Sequence, residues 1–292
     1  MIIDTCIFNN ENDIFMQRYH ALTNVVDKFV VVEFSHTFSG IKKEQKFDIS
    51  CCANIDNSKI IYRYLESPIP LNAATKECVG KTKTNVSLHW KHQGKKPSDL
   101  NETVRREISQ RDMIYDVLIE FAKDTDIILV SDVDEIPNPE KISEYASANF
   151  DKTLYFEMDW RLFFSNFQCE LPWYGAFITS FRELKKFSPD TLRLGGSRFV
   201  FDKSLIITDG GTHLSYLGGK EKIRKKLRDL AYQGVRAEVT KFLINKVEVV
   251  IDIMLYFGWD MFFQGRRFKL IKPDENNIFY IEKNFLLQHT KK

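Results

Sequence analysis

A chain of 292 residues that is 43% hydrophobic and 28% charged can bury a large core, and nothing in that balance marks it as disordered. Its 42 basic and 40 acidic residues leave a formal net charge of +2, which excludes the global field expected for nucleic acid or an anionic membrane. The cysteines (Cys6, Cys51, Cys52, Cys78, Cys169) are odd in number and lack C-x-x-C spacing, so they read as reduced thiols rather than a disulfide framework.

MIIDTCI (1–7) and KFVVVEF (28–34) are short β-branched runs that predict strands, and Phe15, Tyr19 and Leu22 between them mark the apolar face of a helix. KIIYRYL (59–65) predicts a third strand, while the basic, Gly/Pro-punctuated stretch 81–99 has no period and reads as a loop. Val104, Ile108, Tyr115 and Leu118 stripe a helix near 101–123. DIILV (126–130) follows as a strand too apolar to alternate, as expected in a parallel sheet covered on both faces. Strand, helix, strand, helix, strand implies βαβ units and an α/β, doubly wound sheet. The second half is less regular, with strands expected at TLYFEM (153–158), SRFVFD (197–202) and SLIIT (204–208) and an exposed charged helix at 220–233. No apolar run reaches the ~20 residues that span a bilayer. The best candidate, 247–263, is interrupted by Glu248, Asp252 and Asp260 and reads as a core helix. FGWDMFFQGRRFK (257–269) combines aromatics with Arg266, Arg267 and Lys269, a composition compatible with peripheral membrane contact, although a core helix followed by a solvated turn is the simpler account. The first residues lack the pattern of a signal peptide, so a cytoplasmic protein is expected. One domain with two halves, 1–140 and 141–292, is the expected organisation.

DIILVSDVDEIPNPE (126–140) runs its buried strand into Asp132, Asp134 and Glu135 and stops at Pro137 and Pro139. In an open α/β sheet, ligands bind at this carboxyl edge. Two aspartates two residues apart in an extended turn can point the same way and hold Mg²⁺ or Mn²⁺, ions that keep positions open for phosphates. A solvated turn is the plain alternative. In TDGGTHLSYLGG (208–219), Gly210 and Gly211 let backbone approach a ligand closely. His213 there is either a further ligand of the ion, a donor to phosphate, or a satisfied core histidine. In RREISQRD (105–112), Glu107 and Arg111 share a helical face, either as a simple i,i+4 pair or as part of a site.

Taken together these stretches resemble glycosyltransferase family 17. Residues 1–40 look like the family's opening, with its F-x-N-E-x-D element at Phe8, Asn10, Glu11 and Asp13; REISQRD (106–112), ILVSDVDEIP (128–137) and GGTHLSYLGG (210–219) are similar to three further elements in the same order. Thr212 stands where the family has Trp, and AYQG (231–234) replaces a later family element, which bears on the acceptor. The resemblance implies a GT-A-like fold with a Rossmann-type, mostly parallel sheet. It implies a nucleotide-sugar-binding half before an acceptor-side half, a UDP-sugar donor with GlcNAc as the expected sugar, a glycan acceptor, a divalent ion and inversion at the anomeric carbon. Asp134 would then coordinate the ion, Asp132 would contact the ion or the ribose, His213 would complete the metal or diphosphate contacts, and Phe8, Asn10, Glu11, Glu107, Arg111 and Gly211 would line the donor pocket.

Inversion in one displacement needs a general base on the acceptor hydroxyl. Glu157 and Asp159, near a strand end beside Trp160, are the first candidates and Asp209 the third; surface carboxylates on a strand exit are the alternative. Trp160, Trp173 and Trp259 are able to stack on a sugar ring. Two rival readings are a haloacid-dehalogenase-like phosphatase and a non-catalytic carbohydrate-binding module. The first needs Thr or Val where Ile136 stands and a later Asp-Asp pair that the sequence lacks.

Overall fold

The computed structural model describes residues 1–43, 47–48, 55–65, 102–148, 152–199, 203–229, 242, 244–259, 265–272 and 278–291. The expected basic loop at 81–99, Cys51, Cys52, Cys78 and the stretch 231–234 lie outside the described residues.

Four parallel strands form the first part of the sheet: β1 (Ile2–Ile7), β2 (Lys28–Phe34), β3 (Ile60–Leu65) and β4 (Ile127–Asp132), in spatial order β3-β2-β1-β4. Their alternation sorts side chains cleanly between two faces. Phe29, Val31 and Leu129 meet Phe15, Tyr19 and Leu22 of helix α1 (Asn12–Leu22). Val30, Val32, Ile128 and Val130 meet Ile114, Val117 and Leu118 of α2 (Glu102–Leu118). Helices therefore cover both faces, as the near-continuous apolar runs predict.

The same sheet continues through the second half, largely antiparallel. β5 (Glu135–Pro137) and α3 (Pro139–Ala146) precede β6 (Leu154–Leu162), β7 (Phe167–Cys169), β8 (Phe177–Ser180) and the short α4 (Phe181–Leu184). Then come α5 (Pro189–Phe199), β9 (Ile206–Ser215), α6 (Lys220–Asp229), α7 (Val247–Phe257), β10 (Phe268–Leu270) and α8 (Lys283–Gln288). β8 pairs antiparallel with β4, β6 joins β8 to β7, and β9 runs parallel to β6 while pairing antiparallel with β5.

One expected element is corrected. The stretch from 197, read as a strand, is the end of helix α5, which runs to Phe199. Its start is set by Ser188, whose hydroxyl accepts from the Thr191 amide at 3.2 Å, with Pro189 at the first helical position. The helix expected from 247 forms and ends at Gly258, which takes a left-handed φ of 65°, but Val249, Ile253, Tyr256 and Phe257 are exposed, so it buries one face rather than being a core helix. Among the described residues no helix is long and apolar enough to cross a membrane.

The winding reverses between β1 and β4, because β2 and β3 lie on one side of β1 and β4 on the other. That reversal opens a crevice at the strands' carboxyl ends. Register aligns Ile7 with Val32 and Asp132, so the loops after β1 and β4 leave the sheet side by side.

Candidate active site

Alternation along β4 decides what each residue of the acidic turn meets. Asp132 shares a face with Ile128 and Val130 and meets the helices packed there. Arg111 of α2 reaches Asp132 Oδ1 at 3.1 Å, and Arg193 of α5 reaches Oδ2 at 2.6 Å. Arg193 also spans both oxygens of the fully buried Glu135, at 2.6 Å each, and Trp173 Nε1 donates to the same carboxylate at 2.5 Å. Arg111 is itself held by Asp190 at 2.5 Å and by Glu107 at 3.5 Å. Burial would raise the Asp132 carboxyl, but the two guanidinium groups outweigh it and hold the group below its usual range.

Ser131 points to the opposite face, where α1 carries Arg18 into the core. Arg18 is fully buried and forks onto Asp4, then donates to Ser131 Oγ at 2.6 Å, to the Glu135 carbonyl at 2.6 Å and to the Asp132 carbonyl at 3.2 Å. The backbone of the turn is thus pinned from below.

Asp134 is differently placed. Its Oδ2 accepts from Lys226 Nζ of α6 at 2.5 Å, and the same ammonium reaches Glu11 Oε1, in the loop after β1, at 2.8 Å. His213 Nε2 stands 3.5 Å from Asp134 Oδ1, positioned by the pairing of Glu135 with His213 across β5 and β9. Burial would raise Asp134, yet Lys226 and His213 hold it well below the ordinary carboxylate range; burial pushes Glu11 up, against the pull of Lys226. His213 Nδ1 is buried without a hydrogen-bond partner, and the ring packs against both Trp173 (centroids 4.7 Å apart) and Trp160 (6.0 Å, nearly parallel), which also touch each other. Asn9, Asn10 and Glu11 on one side and Lys222, Lys225 and Lys226 on the other line a cleft here.

Glu11, Asp132, Asp134 and His213 thus gather at the crevice, with Glu107 and Arg111 one step behind Asp132. Glu107 and Arg111 form the i,i+4 pair, and Arg111 also reaches the site. Asn10 adopts φ 63° at the cleft, and Phe8 is a core residue whose carbonyl takes bonds from Lys43 and Gln110. Gly211 has a structural reason for its identity: at φ 144° a Cβ would lie 2.4 Å from the Ile136 carbonyl oxygen, so only glycine lets β9 approach β5.

The base candidates are not brought to this corner. Trp160 pairs with His213 in register, so Glu157 and Asp159 face the other side of β6. There Glu157 accepts from Tyr174 Oη at 2.7 Å, and Asp159, half-exposed, holds Arg161 and Gln168. Asp209 is exposed at φ 53°. Trp160 is covered by Arg266, 4.6 Å from its ring centre.

Sequence reasoning missed Arg18, Arg193, Trp173 as a donor to Glu135, and Lys226. Arg18 had a signal, a lone arginine within the apolar stripe Ile14, Phe15, Tyr19, Leu22; Lys226 had none, being one of several alike in KEKIRKKLRD.

Among the described residues no three His, Cys, Asp or Glu side chains form a ready metal cage. The donor set nevertheless fits a hard divalent ion on one side of the turn: two carboxylates from different strand ends already share one cationic group, and His213 Nε2 stands 3.5 Å from one of them. Asp132 does not offer the same, since both its oxygens are engaged by arginines. No curated protein matches the chain. The sequence model of glycosyltransferase family 17 matches residues 1–219, three quarters of the length and every element of the crevice except α6, and the chain belongs to that family.

Proposed function

We propose that the protein transfers a sugar, GlcNAc by its resemblance, from a UDP-sugar to a glycan hydroxyl with inversion, using a divalent ion held by Asp134, Glu11 and His213. The observation that carries this reading is the convergence of Glu11 and Asp134 from the ends of β1 and β4 on a single cationic group at the switch point. When bound, Mn²⁺ or Mg²⁺ supplies Lewis-acid neutralisation of the departing diphosphate. The chain's own residues do the rest. Arg18 fixes the turn backbone, so Asp134 is presented without rearrangement. Arg111 and Arg193 keep Asp132 ionised and oriented at the crevice edge, where a ribose hydroxyl is a suitable donor to it. Lys225 and Lys226 at the cleft, which also holds Glu11, Asp13 and Asp229, are the basic groups an anionic donor would meet.

UDP-GlcNAc hydrolysis, followed with Mn²⁺ and with chelator, tests the reading. Turnover that requires metal and disappears in Asp134→Ala supports it; full turnover in chelator, or in that variant, overturns it.

A further inference from the structure

We propose that Lys226 is a tethered cation that occupies the seat between Glu11 and Asp134 in the donor-free protein and is exchanged for the divalent ion when that ion binds. The inference rests on the metal reading above and concerns a residue beyond the matched family region.

Two carboxylates that meet in a partly desolvated crevice repel each other unless something positive lies between them. Lys226 Nζ satisfies both, at 2.8 and 2.5 Å, and its own proton is held more tightly than usual because Asp134 and Glu11 outweigh the effect of burial. An ammonium and a divalent ion cannot share that seat. The helix itself is anchored: Ile223 and Leu227 of α6 are buried against Tyr216, Val247 and Ile251. Movement therefore falls to the lysine side chain, a flexible four-carbon stem with about a fifth of its surface in solvent. Its retreat leads into the cleft lined by Asn9, Asn10, Lys222 and Lys225 together with Asp13 and Asp229, where these carboxylates or the diphosphate of a bound donor offer a replacement anion. The exchange keeps the local charge balanced: the ion takes the carboxylates, and the ammonium takes the phosphate oxygens. His213 Nε2, 3.5 Å from Asp134 Oδ1, lies beside the seat.

The test is Mn²⁺ affinity without donor, read by electron paramagnetic resonance, in the wild type, Lys226→Met, Lys226→Arg, Lys220→Met and Asp134→Ala. Removing the competing charge in Lys226→Met is expected to tighten Mn²⁺ binding about tenfold or more, because a resident cation at contact distance taxes every other cation for the same oxygens. Lys226→Arg retains the wild-type affinity, and Lys220→Met, which removes a charge from the same helix outside the seat, does too. Thermal melts give a second readout: Lys226→Met melts lower than wild type without metal, and Mn²⁺ raises its midpoint by more than it raises the wild type's. Equal Mn²⁺ affinity in wild type and Lys226→Met, with binding lost in Asp134→Ala, overturns the exchange and leaves the metal reading intact. Absence of Mn²⁺ binding in all of them overturns both.

Discussion

The two sides of the acidic turn are built from the same chemistry and behave as opposites. On the α2 and α5 side, Asp132 and Glu135 are gripped by Arg111 and Arg193, planar forks whose donors are spread over several acceptors at once. On the α6 side, Asp134 and Glu11 share one lysine ammonium, a compact charge on a flexible stem. The first arrangement fixes a shape; the second balances a charge that something else can balance instead. Under the proposed function, the D-x-D turn of this chain is half scaffold and half binding site.

Predictions follow that contrast from its foundation outward. Arg18→Met leaves Asp4 buried without its partner and frees the turn carbonyls, so a loss of about 3–5 kcal/mol in chemical denaturation is expected. A loss below 1 kcal/mol would show that the turn is held by something other than Arg18. Arg193→Met removes the fork from Glu135 but leaves its bonds from Trp173 and the Asp132 amide, and is expected to cost about 2 kcal/mol of stability. Mn²⁺ affinity in that variant changes little, because the seat lies on the other side; a large loss of Mn²⁺ binding would erase the distinction between the two halves. Glu157→Gln and Asp159→Asn, facing away from His213, are expected to leave donor hydrolysis within about twofold of wild type. A collapse of hydrolysis in either would move the chemistry to the far face of β6.

A further effect lies outside the turn and serves as its control. Burial lifts Asp116 of α2 to about 7. An acid whose folded pKa exceeds its unfolded value favours the native state when protonated, so this contribution is present below the unfolded value near 4 and is lost as pH rises through 7. Asp116→Asn should therefore be more stable than wild type at pH 8 and lose that advantage toward pH 4, as denaturation midpoints at the two pH values would show. Asp132 and Asp134 have the opposite sign, with lowered values whose contribution persists above pH 4 and fades only in stronger acid.

How much of this was legible depends on which residues carried it. The parallel strands and their two covering helices were readable because β1, β2 and β4 are apolar on both faces and Phe15, Tyr19 and Leu22 keep helical spacing. The helix α5 was misread because SRFVF has the β-branched and aromatic content of a strand, although Ser188 and Pro189 carried a helix-start signal ahead of it. The acidic residues of the turn were visible in sequence, whereas the identity of their partners was not. Arg193 and Lys226 come from helices 61 and 92 residues away from the groups they hold, and only the closed sheet brings them there. The base candidates on β6 were chosen by proximity to a tryptophan in sequence, which strand alternation converts into separation across the sheet.

The most direct measurement is a Mn²⁺ titration of Asp134→Ala and Asp132→Asn beside the wild type, each first shown to be folded. The account predicts that Asp134→Ala loses the bound ion and Asp132→Asn keeps it. The reverse, with the ion lost on neutralising Asp132 and retained without Asp134, would contradict it.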